Sequence, residues 1–124
     1  MRISIEKEND ITILGIKGKL DATTSKDFQE KLLKLIDAGD TQFIIDCSQL
    51  DYISSAGLRV FYLVSRKLEN TNGKIVFCSP NKNIMRVFEI VDLSSDFPIL
   101  TTIDDAYKEY AKKIITNPYG DMGS

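Results

Sequence analysis

Two adjacent hydroxyls, Ser54 and Ser55, followed by Ala56-Gly57-Leu58-Arg59, stand where the apolar spacing changes from strand-like to helical. A serine at a helix start can accept a hydrogen bond from an unpaired backbone N–H of the first turn, which stabilises by about 1 kcal/mol. The same place offers a second chemistry. An exposed hydroxyl there faces free N–H groups and the positive end of the helix dipole. A phosphoryl group of about −1.5 to −2 charge would be accommodated without unfolding the helix. Periodicity alone leaves cap and phosphoacceptor both open for either serine. Gly57 carries no side chain, and on that ground it is expected to keep the first turn bare so that another protein can approach the hydroxyl.

Composition closes most other routes. The chain has no histidine, which removes Ser-His and Cys-His nucleophile pairs, histidine ligands and histidine proton transfer. The two cysteines, Cys47 and Cys78, are too few for a zinc site. They lie in or beside the apolar runs Phe43–Ile45 and Ile75–Phe77, so both read as small buried hydrophobes. No metal and no cofactor are expected. Asp46 ends an apolar strand, as the acceptor aspartate of a receiver domain does. The residues after the two opening strands, Asn9-Asp10 and Gly18-Lys19, lack the acidic pair that would hold magnesium there. No Gly-x-Ser-x-Gly elbow occurs, and Gly18-Lys19 has no glycine-rich cradle before it.

The elements that must position the serines follow from spacing. Ile3 to Glu8 alternates apolar and charged residues, Asn9-Asp10 marks a turn, and Ile11–Ile16 resumes as a second strand closed by Gly18-Lys19-Leu20-Asp21. From about Thr24 the period is helical, with Phe28, Leu32, Leu35 and Ile36 on one face and Gly39 at the end. Phe43–Ile45 reads as a strand buried on both sides. A second helix is expected from Ser54-Ser55 to about Leu68, presenting Leu58, Phe61, Tyr62 and Ser65. Ile75–Cys78 is the next strand, and a third helix carries Ile84, Val87, Phe88 and Val91. Phe61, Tyr62, Val87 and Phe88 are assigned to the core rather than to a ligand. A short strand at Phe97–Leu100 and a last helix on Ile103, Ala106, Tyr110 and Ile114 complete the pattern. The order ββαβαβαβα predicts an α/β domain: a mixed sheet of four to five strands with about four helices, the crossover helices on one side. Residues 1–115 form that domain, and 116–124 are expected to be a disordered tail.

With 124 residues, 43% hydrophobic and 27% charged, the chain has ordinary globular composition for one domain. Sixteen basic against eighteen acidic residues give a net charge of −2, which provides no general field for nucleic acid or an anionic membrane. No apolar run approaches the roughly 20 residues that span a bilayer, and Met1–Glu8 lacks a signal-peptide stretch. A cytoplasmic, reducing location is expected.

The run Ser54-Ser55-Ala56-Gly57-Leu58, after a strand ending in Asp46 and a Tyr52-Ile53 step, resembles the STAS domain family, and within it the bacterial anti-sigma factor antagonists. Gly18-Lys19-Leu20-Asp21 is similar to the Gly-x-Leu-Asp step before that family's first helix. The resemblance spans about Ile3 to Ile114 and implies a STAS-like fold. With Gly57-Leu58 fixing the register, it places the phosphoacceptor at Ser55, with Ser54 as second candidate. It implies that an anti-sigma factor, itself a serine kinase, binds the unmodified chain and phosphorylates it, and that a protein phosphatase resets the cycle. The chain would then be a kinase substrate and not an enzyme, a monomer or weak dimer. Its partner-binding residues would be Asp21, Ile53, Ser54, Ala56, Gly57, Leu58 and Arg59. Ser54 replaces an aspartate common in the family, and Arg59 a small residue. Arg59 would pair with the phosphate or a partner acid, or stay a solvated charge. Asp21 would orient the site or cap the first helix. A second reading keeps the fold but drops phosphorylation, as in a scaffold of a stress-sensing complex or an accessory subunit of a transporter.

Overall fold

β1 (Arg2–Glu8) and β2 (Ile11–Leu20) form the opening antiparallel hairpin. Its two-residue turn places Asn9 and Asp10 at φ 52° and 67°. Asparagine and aspartate tolerate that left-handed backbone, and two such residues give the twist that keeps hairpin strands paired. The remaining elements are α1 (Ser25–Asp37), β3 (Gln42–Asp46), β4 (Leu50–Ile53), α2 (Ser55–Leu68), β5 (Lys74–Cys78), α3 (Lys82–Ile90) and β6 (Ile99–Leu100). A fourth helix, α4, occupies residues 103–111. The computed structural model describes residues 1–111; Ile114 and the tail over 116–124 lie outside the described residues.

The strands form one mixed sheet in the order β1-β2-β3-β5-β6, with β4 added on the far end of β2. All pairings except β1 with β2 are parallel. β4 takes the sheet to six strands, one beyond the four to five expected. Only its end residues, Leu50 and Ile53, are buried, so it carries no alternating pattern that spacing could reveal. Gly18 makes the change of partner possible. Its φ of +100° is a backbone state that side chains disfavour. β2 pairs with β3 as far as Gly15, takes up β4 from Gly18, and the β2–β4 register shifts between Gly18 and Lys19.

Parallel crossovers that all run one way put α1, α2 and α3 on one face. Phe28 and Leu32 of α1, Phe61 and Val64 of α2, and Ile84 and Phe88 of α3 pack on Leu14, Ile16, Phe43, Ile45 and Phe77. Phe28, Phe61, Phe77 and Phe88 meet edge to face, with centroids 4.8–5.5 Å apart, the arrangement that ring quadrupoles favour. Tyr62 sits at the rim of this core, its hydroxyl donating to Asp96 Oδ2 at 2.7 Å. Val91 departs from the expected helical face: α3 ends at Ile90, and Val91 is exposed in the turn leading to Asp92, where φ is 55°.

The opposite sheet face is covered by α4, through Ala106 and Tyr110 on Ile11, Ile13, Ile44 and Val76. The Tyr110 hydroxyl lies 2.7 Å from the Phe43 carbonyl and 3.0 Å from that of Lys74, and donates to one or the other. Cys47 and Cys78 are both buried, one in each core. Burial raises both thiol pKa values, that of Cys78 to about 11, so neither is a ready thiolate. No helix among the described residues is long and apolar enough to cross a membrane.

Candidate functional site

α2 begins where β4 ends, and β4 is held against the end of β2. Leu20 and Ile53 are register partners, and the Ser54 N–H donates to the Leu20 carbonyl at 3.0 Å. The turn after Leu20, which contains Asp21, is thereby brought to the same end of the sheet as Ser54 and Ser55.

The two serines differ in what they do. Ser54 has extended backbone (φ −97°, ψ 173°) and is the N-cap; its Oγ accepts from the Gly57 N–H at 3.2 Å. Ser55 is the first helical residue and is exposed. The N–H groups of Ser55 and Ala56 precede the i→i−4 ladder, which starts with Leu58 N–H donating to the Ser54 carbonyl at 2.9 Å. No acidic residue stands in this first turn, so α2 itself places no like charge against a dianion there. The cap is expected to be worth about 1 kcal/mol. Ser54→Ala should lower the denaturant midpoint accordingly with an unchanged m-value, and an unshifted midpoint would show the cap to be idle.

Gly57 has a role other than the one read from its bareness. It is buried and faces inward; a Cβ there would stand 2.7 Å from the Leu20 carbonyl oxygen, 2.9 Å from Leu20 Cγ and 3.1 Å from Ile53 Cγ1. Glycine lets α2 lie directly on the β2–β4 pair, away from the side a partner would approach. Leu58 is also inside, 8% exposed, as is Ile53 at 4%. Neither offers a side chain to a partner; they hold the site's floor. Arg59, by contrast, is exposed one helical turn beyond Ser55 and forms no ion pair among the described residues. Ala56 is half-buried.

Asp21 is not the N-cap residue of α1 but caps the turn that leads into it, with the Asp21 N–H donating to Thr24 Oγ1 at 2.9 Å and the Ser25 N–H to the Asp21 carbonyl at 2.8 Å. Its Oδ1 accepts from the Thr23 hydroxyl at 2.7 Å, the Thr23 N–H at 3.0 Å and the Thr24 N–H at 3.2 Å. These bonds, the Thr23 hydroxyl foremost, hold its pKa below the usual carboxylate value. The N-cap of α1 is Thr24, without a side-chain cap bond. Asp21 shapes the turn beside the serines. Asp46 likewise closes a turn, accepting the Ser48 N–H at 3.0 Å.

Two neighbours escaped the sequence reading. Tyr52, the first residue of the Tyr52-Ile53 step, is 49% exposed; an aromatic in a four-residue strand gives no periodicity to place it. Asn81 caps α3 by accepting from Ile84 N–H at 2.8 Å and donates to the Leu50 carbonyl at 3.2 Å, which ties α3 to β4. The Pro80-Asn81 pair before a helical run is the signal that could have found it.

The model of the STAS domain matches residues 2–106. A candidate anti-sigma factor antagonist of Bordetella bronchiseptica, BtrV, is 31% identical over 106 residues, 86% of this chain and 91% of that protein. Among solved structures, a candidate anti-sigma factor antagonist from Thermotoga maritima superposes with a TM-score of 0.81 at 21% identity, covering 86% of this chain and 92% of that one. The phosphorylated form of the Bacillus cell fate determinant SpoIIAA gives 0.69 at 20% identity, covering 88% and 99%.

Proposed function

Because the chain belongs to the STAS domain family, we propose that it is an anti-sigma factor antagonist whose partner is exchanged by phosphorylation of Ser55. In this reading an anti-sigma factor with serine kinase activity docks over the start of α2 and presents ATP to the exposed hydroxyl. Ser55 Oγ attacks the γ-phosphorus, its proton passes to a base of the kinase, and ADP leaves. This chain supplies the acceptor and its placement, and no catalytic step of its own. A protein phosphatase hydrolyses the ester and restores the binding form, all in the cytoplasm.

One observation carries the choice of acceptor: Ser54 spends its hydroxyl as the helix cap while Ser55 stands exposed. The free N–H groups of the first turn and the absence of first-turn acids favour the dianion once formed. The charge then lies in the middle of the docking surface, so release needs no change of fold.

The test is site-resolved phosphorylation of the protein captured from its own cells with phosphatases inhibited, alongside Ser55→Ala. Phosphate should be found on Ser55 and be absent from the variant. Phosphate on Ser54 would move the acceptor by one residue. No phosphate under any growth condition, with a stable transporter or scaffold partner, would replace the switch by the accessory role.

A further inference from the structure

Among the described residues, β1 has a neighbouring strand on one side only. All of its residues are exposed except Ile3, which is partly buried. An edge of this kind presents unpaired N–H and C=O groups that another strand can take up, and proteins usually blunt it with proline, a bulge, brevity or charged side chains. β1 runs for seven residues without proline, and its register with β2 is unbroken from Arg2 to Glu8. Its one guard is charge, on Arg2, Glu6, Lys7 and Glu8, which repels a random strand and leaves room for one of complementary charge.

Its charges are laid out for one occupant. Arg2, Ser4, Glu6 and Glu8 stand opposite Lys17, Gly15, Ile13 and Ile11. Tyr107 of α4 donates to Glu8 Oε2 at 3.0 Å, which places this set on the α4 face. One end therefore sets Arg2 against Lys17, like charges directly across a strand pair, which is unfavourable. Neither forms an ion pair among the described residues. The other end holds two acids. The side chains of Ile3 and Ile5 alternate to the other face, where Ile3 packs on the main core and Ile5 remains 41% exposed.

We propose that β1 is a self-docking edge, through which two copies of this chain pair antiparallel about Ile5, with Arg2 of each opposite Glu8 of the other. Pairing about a two-fold axis keeps both sheet faces continuous only when residues of equal parity meet. Centring on Ile5 satisfies that, engages all seven residues and gives both arginines an opposing acid. Ile5 then meets Ile5, and Ser4 meets Glu6. The surface is separate from the start of α2, so the proposal stands whether or not Ser55 is phosphorylated. One strand against one strand makes a small interface, so the association is weak.

Light scattering and sedimentation from about 10 μM to about 1 mM should show the mass rising from 14.0 kDa towards twice that value. Arg2→Glu puts acid against acid twice and should raise the midpoint concentration by about tenfold or more. Arg2→Glu with Glu8→Arg should restore it. Glu8→Arg also removes the Tyr107 contact, so amide exchange of the wild type supplies a second reading: β1 amides should slow with concentration while α3 amides do not. A mass fixed at 14.0 kDa, an indifferent Arg2→Glu variant, β1 amides insensitive to concentration, or rescue by Glu6→Arg instead would each overturn the proposed pairing.

Discussion

Ser55→Asp is expected to weaken binding to the kinase partner by about a hundredfold or more, about 2.7 kcal/mol, whereas Ser55→Ala binds as the wild type and accepts no phosphate. A carboxylate at the first helical position cannot fail by unfolding α2. It lies at the positive end of the helix dipole, where acids stabilise by about 0.3–1 kcal/mol. The loss must therefore arise in the complex, where a charge at the middle of a docking surface is stripped of water and meets no designed partner. Calorimetry with the purified partner and the two variants reads the difference, and denaturation of both checks the fold. An aspartate variant that binds like wild type, together with unchanged binding by protein phosphorylated at Ser55, would remove the switch.

Gly57→Val should lower stability by about 3 kcal/mol and the melting temperature by roughly 10 °C or more. In an ordinary helix interior, replacing glycine with alanine gains about 1 kcal/mol. Here the first added carbon would stand 2.7 Å from the Leu20 carbonyl oxygen. That oxygen is fixed by the hydrogen bond from Ser54 N–H and by the β2–β4 register, so α2 itself would have to lift. Gly57→Ala should fall between wild type and Gly57→Val. A melting temperature that rises in the alanine variant would mean that α2 does not sit so close. The two variants also separate the roles considered for this glycine: bareness for a partner's approach predicts normal stability with lost binding, and close packing predicts the reverse.

The helices were legible because each buries one stripe, and the central strands because they are apolar on both faces. Phe28-Leu32-Ile36 and Ile84-Phe88 announce helices, and Phe43–Ile45 and Ile75–Cys78 announce buried strands, so the α/β class and the one-sided crossovers followed from spacing and chirality. β4 was not legible, since two buried ends around Asp51-Tyr52 are too short to show a period and its pairing depends on a bend at Gly18. At the site, spacing located the start of α2 to within a residue but could not divide work between the serines. Which hydroxyl caps and which is exposed depends on the backbone angle at Ser54. The inward orientation of Gly57 was also hidden, because it is set by β4, whereas Leu58 shares the helical face of Phe61. Asp21 was found for its type and place; that its bonds are local emerges only with Thr23 and Thr24 in three dimensions.

The side-by-side order of β1, β2, β3, β5 and β6 also bears on how the chain is made. A ribosome releases these strands in the sequence in which they stand in the sheet, so each new one meets a finished edge and closes only the loop it has just brought out. β4 is the exception, and it returns to β2, which by then is already paired. The surface left waiting is the α4 face: Ile11, Ile13, Ile44 and Val76 stay in water until Ala106 and Tyr110 arrive. A chain cut short before Ala106 would keep that apolar patch open to other chains.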